Sequence, residues 1–131
     1  MKRLQLVGLI FILVLGALFV FNLSKTQHKS EILNGTYKSN IDSFITMSFD
    51  ASDDYTFYFY YLDHNSSNGS QQKLDQGSYY TKDNNTFVVN SSKFINQEID
   101  YQDNKFTIII GGEKHTFKKT SELPTILELH Q

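Results

Sequence analysis

The sequence predicts an all-β protein, an antiparallel meander of about eight strands forming a small barrel or half-barrel, preceded by one N-terminal transmembrane helix. Three observations carry that expectation. Residues 4–23 form an almost unbroken apolar run of 20 residues. From Gly35 to Lys119 the apolar positions recur with period two and are rich in β-branched and aromatic types. Short clusters of Asp, Asn, Gly and Lys separate these runs, and such residues favour tight turns.

The first element is the apolar run itself, interrupted only by Gln5, two glycines and Asn22. As a helix rising 1.5 Å per residue it spans roughly 30 Å, the thickness of a bilayer core, and it exceeds a secretory signal's apolar region. The stretch Phe21-Asn22-Leu23-Ser24-Lys25-Thr26 lacks the paired small residues that a signal peptidase cuts after. Residues 1–23 are therefore expected to be an uncleaved signal anchor that attaches the chain to the cell membrane through residues 4–23. Lys2 and Arg3 before the span are balanced by Lys25 and Lys29 after it, and the short N-terminus favours a C-terminal domain outside the cytoplasm. Cleavage is the alternative, and it would make the domain a secreted one. Residues 24–34 are polar, lack strand alternation and are expected to form a stalk.

Eight strands follow in order: Thr36 to Ser39, Phe44 to Phe49, Tyr55 to Leu62, Lys73 to Thr81, Phe87 to Asn90, Ile95 to Tyr101, Phe106 to Ile110 and Lys114 to Lys118. An acidic or amide turn opening an aromatic strand recurs at Asp53, Asp83 and Asp103, as expected of a meander. Gly111-Gly112 supplies positive φ for another hairpin. The alternation assigns Ile45, Met47, Phe49, Phe57, Phe59, Phe87, Val89, Phe106, Ile108 and Ile110 to the core, joined by Ile95, Ile99 and Phe117. The domain is thus expected over residues 35–119, with residues 120–131 as a tail. Leu123, Ile126, Leu127 and Leu129 make that tail aliphatic, so it is expected to fold back over an open barrel end.

Charge and composition exclude several functions. After residue 23 the chain holds ten Lys, no Arg and fourteen Asp or Glu, a balance of −4. Without guanidinium forks and with a net negative domain, no nucleic acid partner is expected. The absence of cysteine excludes disulfides, thiolate metal sites and lipid anchors attached to sulfur.

The opening Gly35-Thr36-Tyr37, the meander and the closing His115-Thr116-Phe117-Lys118-Lys119 resemble small lipocalin-like β domains of Gram-positive cell-surface proteins, whose first strand commonly starts with Gly-x-aromatic. The Lys- and Asn-rich, Arg-poor usage is similar as well. The resemblance implies a barrel displayed at the envelope. It carries no site residues across, because the first-strand Trp of true lipocalins is missing.

No catalytic motif is present: there is no nucleophile elbow, zinc-protease helix or phosphate loop. His115 is expected to face outward beside Lys114, and Ser66-Ser67 and Ser91-Ser92 to lie in solvated turns. Asp50, Asp53 and Asp54 lack the spacing of a calcium loop and read as an acidic hairpin turn. No enzyme activity, cofactor or metal is therefore expected. The residues singled out for binding are Tyr58, Tyr60 and Tyr80. If Phe57 and Phe59 face the core, the pleat turns Tyr58 and Tyr60 outward as a pair, a type that anchors interfaces or stacks on sugars. The competing reading has them supporting cross-strand neighbours such as Tyr80, or covered by the tail. The function expected is a non-enzymatic binding module at the cell envelope, its partner an envelope protein or glycan. A lipocalin-like carrier of a small apolar ligand is the alternative.

Overall fold

The computed structural model describes Ile10, residues 12–15 and residues 31–128. Ile10 and residues 12–15 are helical; the rest of the segment read as an anchor lies outside the described residues. Among the described residues no helix is long and apolar enough to cross a membrane.

Residues from Glu31 onward form an all-β unit of eight antiparallel strands: β1 (Gly35–Ser39), β2 (Thr46–Asp50), β3 (Thr56–Asp63), β4 (Gln71–Thr81), β5 (Thr86–Asn90), β6 (Gln97–Asp100), β7 (Lys105–Ile110) and β8 (Glu113–Ser121). The order is β6-β5-β4-β3-β2-β1-β8-β7, so each strand pairs with its sequence neighbour until the edges, and the last strand returns to the first. The edge strands β6 and β7 are joined by a tight turn closed by the isolated bridge between Gln102, just after β6, and Lys105. The sheet is a nearly closed barrel.

Turn chemistry explains the tight connections. Asp103 and Asn104 have φ of 53° and 60°, and Gly111 and Gly112 have 58° and 83°. Both pairs meet the positive φ that two-residue hairpins matching strand twist demand. In the β2–β3 turn the Asp50 carboxylate accepts from the Ser52 N–H at 3.0 Å and its hydroxyl at 2.6 Å.

The interior is aromatic. Phe49 packs edge-on against Tyr37, Tyr79 and Phe106 with ring centroids 5.1 to 5.7 Å apart, and Phe106 stacks on Phe117 at 5.1 Å. Met47, Phe57, Phe59, Phe87, Val89, Ile99 and Ile108 are buried with them, as the alternation requires. Ile45 and Ile110 are partly buried against the cluster. Ile95 is not in the core; it is 80% exposed. Its strand begins only at Gln97, because Asn96 takes a φ of 47° and Phe94 enters the core instead.

The ends of the domain differ from the sequence reading. Leu33, read as stalk, is fully buried and plugs the barrel where the chain enters. The Tyr79 hydroxyl donates to the Leu33 carbonyl at 2.9 Å, and the Tyr37 hydroxyl donates to that of Asn34 at 3.0 Å. At the other terminus β8 continues to Ser121, kept in the sheet by β1 through a bulge between Thr36 and Tyr37. The tail then crosses the outer face of β1–β3 rather than a barrel end. The entry end is already filled, whereas the outer face carries tyrosine rings that water would otherwise surround.

Strand direction sorts the loops. The β1–β2, β3–β4, β5–β6 and β7–β8 connections all lie at the end of the barrel opposite the chain entry. Ile41, Phe44 and Ile95 stand exposed on those far-end loops.

Candidate functional site

Alternation on β3 does what its period dictates: Phe57 and Phe59 point inward, and Tyr58 and Tyr60 point outward. With the tail seated on the domain, Tyr60 is fully buried and Tyr58 nearly so. The Tyr58 hydroxyl donates to Asp53 at 2.7 Å, and this bond, with burial, pushes its pKa up to about 12. The Tyr60 hydroxyl accepts the Leu127 N–H at 2.8 Å, and burial raises its pKa. Tyr80 is 56% exposed but stands apart from the pair. The β4 partner of Tyr58 is Gln76, and Tyr80 lies four residues further along, about 13 Å at strand rise. The three residues singled out from the sequence therefore do not form one exposed patch, and the reading in which the tail covers the strand face holds for Tyr60.

The tail's seat is built from β1. Thr36 lies next to Ser48 of β2 on the outer face. Its Oγ1 donates to the Leu123 carbonyl at 2.8 Å and accepts from the Thr125 N–H at 2.8 Å, with the Thr125 hydroxyl 3.1 Å away. Next to the tail lies a groove of about 350 Å3, whose walls include Lys38, Phe44, Thr46, Tyr60, Gln72 and Leu127. Phe44 is 62% exposed, so an aromatic ring stands beside hydroxyls, an amide and an ammonium.

The sequence reading places Phe44 in a strand and does not single it out, whereas it lines the groove. Its outward position was nonetheless readable, since the phase of Ile45, Met47 and Phe49 leaves Phe44 on the opposite face. The strand starts only at Thr46, since the Asp42 carboxylate takes the Phe44 N–H into the preceding turn at 2.8 Å.

A second feature lies at the far end. Asp75 of β4 faces inward opposite Phe59 and is buried. Its carboxylate accepts from the hydroxyls of Ser91 at 2.5 Å and Ser92 at 2.7 Å and from the Lys93 N–H at 3.3 Å. Ser91, half-buried, and Ser92, exposed as expected of a solvated turn, thus also clamp the loop through their hydroxyls. They set Phe94 into the core and hold Lys93 with its ammonium 4.3 Å from the centre of the Tyr61 ring. A shallow pocket of about 310 Å3 opens there between Phe59, Phe94, Ile109 and Ile110.

His115 is buried, not outward. It lies two residues before the buried Phe117, on the same face of β8, and pairs with Ile108 across the β7–β8 ladder, which puts its ring inside. Nδ1 lies 2.8 Å from Ser39 Oγ, and Nε2 lies 3.9 Å from a Glu113 carboxylate oxygen. A hydroxyl, an imidazole and a carboxylate are the parts of a nucleophilic set, but Ser39 and His115 line neither groove. Asp50 and Asp53 hold Ser52 and Tyr58.

Comparison of the chain with protein-family models, curated proteins and solved structures finds no match.

Proposed function

We propose that this chain is a membrane-anchored, extracytoplasmic β domain that acts without catalysis, as a binding module at the cell envelope. Its apolar residues 4–23 suit a single-pass anchor, and residues 31–128 suit a compact head. The observation that carries the reading is the outer groove beside the tail, with Phe44 exposed at its rim. An exposed ring flanked by hydroxyls, an amide and Lys38 offers apolar contact together with orienting hydrogen bonds, the composition of a recognition site. The interior is occupied by rings packed at about 5 to 6 Å, which supports surface binding over carriage of a ligand inside the barrel. An envelope protein or glycan is the partner in this reading.

The test is a photo-crosslinking residue replacing Phe44 in the full chain, exposed to cell-envelope fractions, with the same residue at Asp83 as control. A discrete adduct from position 44 and none from 83 is expected. Equal labelling from both positions, or none, rejects the reading.

A further inference from the structure

The outer face of β1–β3 already holds one extended polypeptide, and the manner of holding shows what else it would take. The Asn34 side-chain amide donates to the Glu122 carbonyl at 3.2 Å, and on the face itself main-chain groups of the tail are bonded at alternate residues: the carbonyl of Leu123 and the N–H of Thr125 on Thr36 Oγ1, and the N–H of Leu127 on the Tyr60 hydroxyl, each at 2.8 Å. That spacing is the two-residue period of an extended chain. The bonds come from side chains on a sheet face instead of from a sheet edge. Leu123 remains 75% exposed and Ile126 and Leu127 50% and 42%, so the tail side chains are only partly withdrawn from water. The bonds that hold the tail recognise backbone. The groove continues from Leu127 past Tyr60 and Thr46 to Phe44.

We infer that this face is a docking surface for an extended polypeptide segment of a partner protein, which displaces the tail from Thr36 and Tyr60 and reaches Phe44. The inference rests on the reading of the domain as a binding module and adds the class of partner and the place it occupies. The tail is the resident occupant of the free chain. Because two amide N–H groups are read at a spacing of two, a docked segment needs free N–H groups at those positions, whereas the residue between them is unconstrained. Ile126 occupies that intervening position in the tail. Pro124, which has no N–H, sits at another position that makes no bond to the face.

The experiment uses the chain in detergent micelles, full length and ending after Ser121, with a fluorescent synthetic peptide of sequence ELPTILELHQ, identical to residues 122–131. The shortened chain is expected to bind this peptide and to bind an unrelated extended aliphatic decapeptide nearly as well. A resident tail seated nine-tenths of the time weakens apparent affinity about tenfold, so the full chain should bind correspondingly less tightly. N-methylation at the two reading positions should abolish binding, as should Thr36→Val in the shortened chain, with β-type circular dichroism retained. Undiminished binding of the N-methylated peptide overturns the inference, as does a folded shortened chain that binds no peptide. Loss of the β signal on shortening overturns it too, since the tail is then part of the fold. Self-association of the full chain reversed by the peptide means that a second copy's tail is the occupant, and displacement by soluble envelope glycan alone means a glycan; either replaces the partner polypeptide. Peptide binding without a crosslink from position 44 leaves this inference standing and removes the envelope reading.

Discussion

Ser39 Oγ lies 2.8 Å from His115 Nδ1 within the barrel, and the same oxygen accepts the Ile41 N–H at 3.2 Å. The hydroxyl thus joins the imidazole to the Ile41 amide, the direction of the bond to Nδ1 following the tautomer of the ring. The bond ties the end of β1 to β8 and starts the turn that carries Ile41 to the far end. Ser39→Ala leaves a buried ring nitrogen and a part-buried amide without partners, at a cost of about 1–3 kcal/mol. Adding His115→Phe to that variant removes the orphaned nitrogen. Urea unfolding is expected to show the double variant recovering part of the loss. A Ser39→Ala chain as stable as the parent would falsify a structural role for the pair.

Gly77 of β4 lies opposite Phe57 with ordinary backbone angles, so its conformation alone does not demand glycine. Space does. A Cβ there would meet the Asn90 carbonyl oxygen and stand 2.8 Å from a Phe57 ring carbon. Gly77→Ala is expected to shift β4 from β5 or push the ring out of the core, costing about 1–3 kcal/mol or more. Phe57→Ala costs about 3–5 kcal/mol by emptying the same place. Melting curves that leave Gly77→Ala unchanged would show that the Phe57 ring yields freely.

These residues show which parts of the fold the sequence makes legible. Met47, Phe49, Phe57, Phe59, Phe87, Val89, Phe106, Ile108 and Phe117 are purely apolar, so period two assigns them without ambiguity. Tyr37, Tyr79 and Tyr101 are equally buried yet escaped the alternation, since a ring with a polar tip suits either face until its hydroxyl finds a partner. Those partners, Leu33 and Asn34 among them, are fixed by the tertiary fold. Ile95 failed because one positive φ at Asn96 changes the phase of its strand. The tail's seat was illegible for the same reason as the tyrosines: Thr36 and Leu123 are 87 residues apart in sequence. No local pattern encodes their contact.

The Asp75 clamp predicts a local effect rather than a global one. Asp75→Ala removes the acceptor for two hydroxyls and the Lys93 N–H, and hydrogen bonds to a charged group are worth about 1.5–3 kcal/mol each before solvent recovers part of the loss. Hydrogen exchange should quicken across Ser91 to Phe94 while β1 and β8 keep their protection. Uniform acceleration in all strands would mean instead that the carboxylate supports the whole barrel.

Alkali tests the buried tyrosines together. Burial, the largest cause, raises the pKa of Tyr37, Tyr60 and Tyr79, and the hydrogen bond to Asp53 raises that of Tyr58 to about 12. In an unfolded chain a phenol ionises near pH 10, so the folded state binds these protons more tightly than the unfolded state does. Below about pH 10 both states hold them, and the stability they contribute is fully present. As pH rises from about 10 towards 12 and beyond, the unfolded chain releases protons that the folded one retains, and stability falls. Tyrosinate absorbance followed alongside far-ultraviolet circular dichroism is therefore expected to show a block of phenols that ionises only as the β signal disappears. Tyr60→Phe keeps the ring but removes both an ionisable hydroxyl and the acceptor of the Leu127 N–H. It should shrink that block and release the tail at neutral pH, seen as faster exchange at Leu127. Ionisation of every tyrosine near pH 10 with the β signal intact would mean that these hydroxyls are open to water, and the tail's seat on Tyr60 would fall with them.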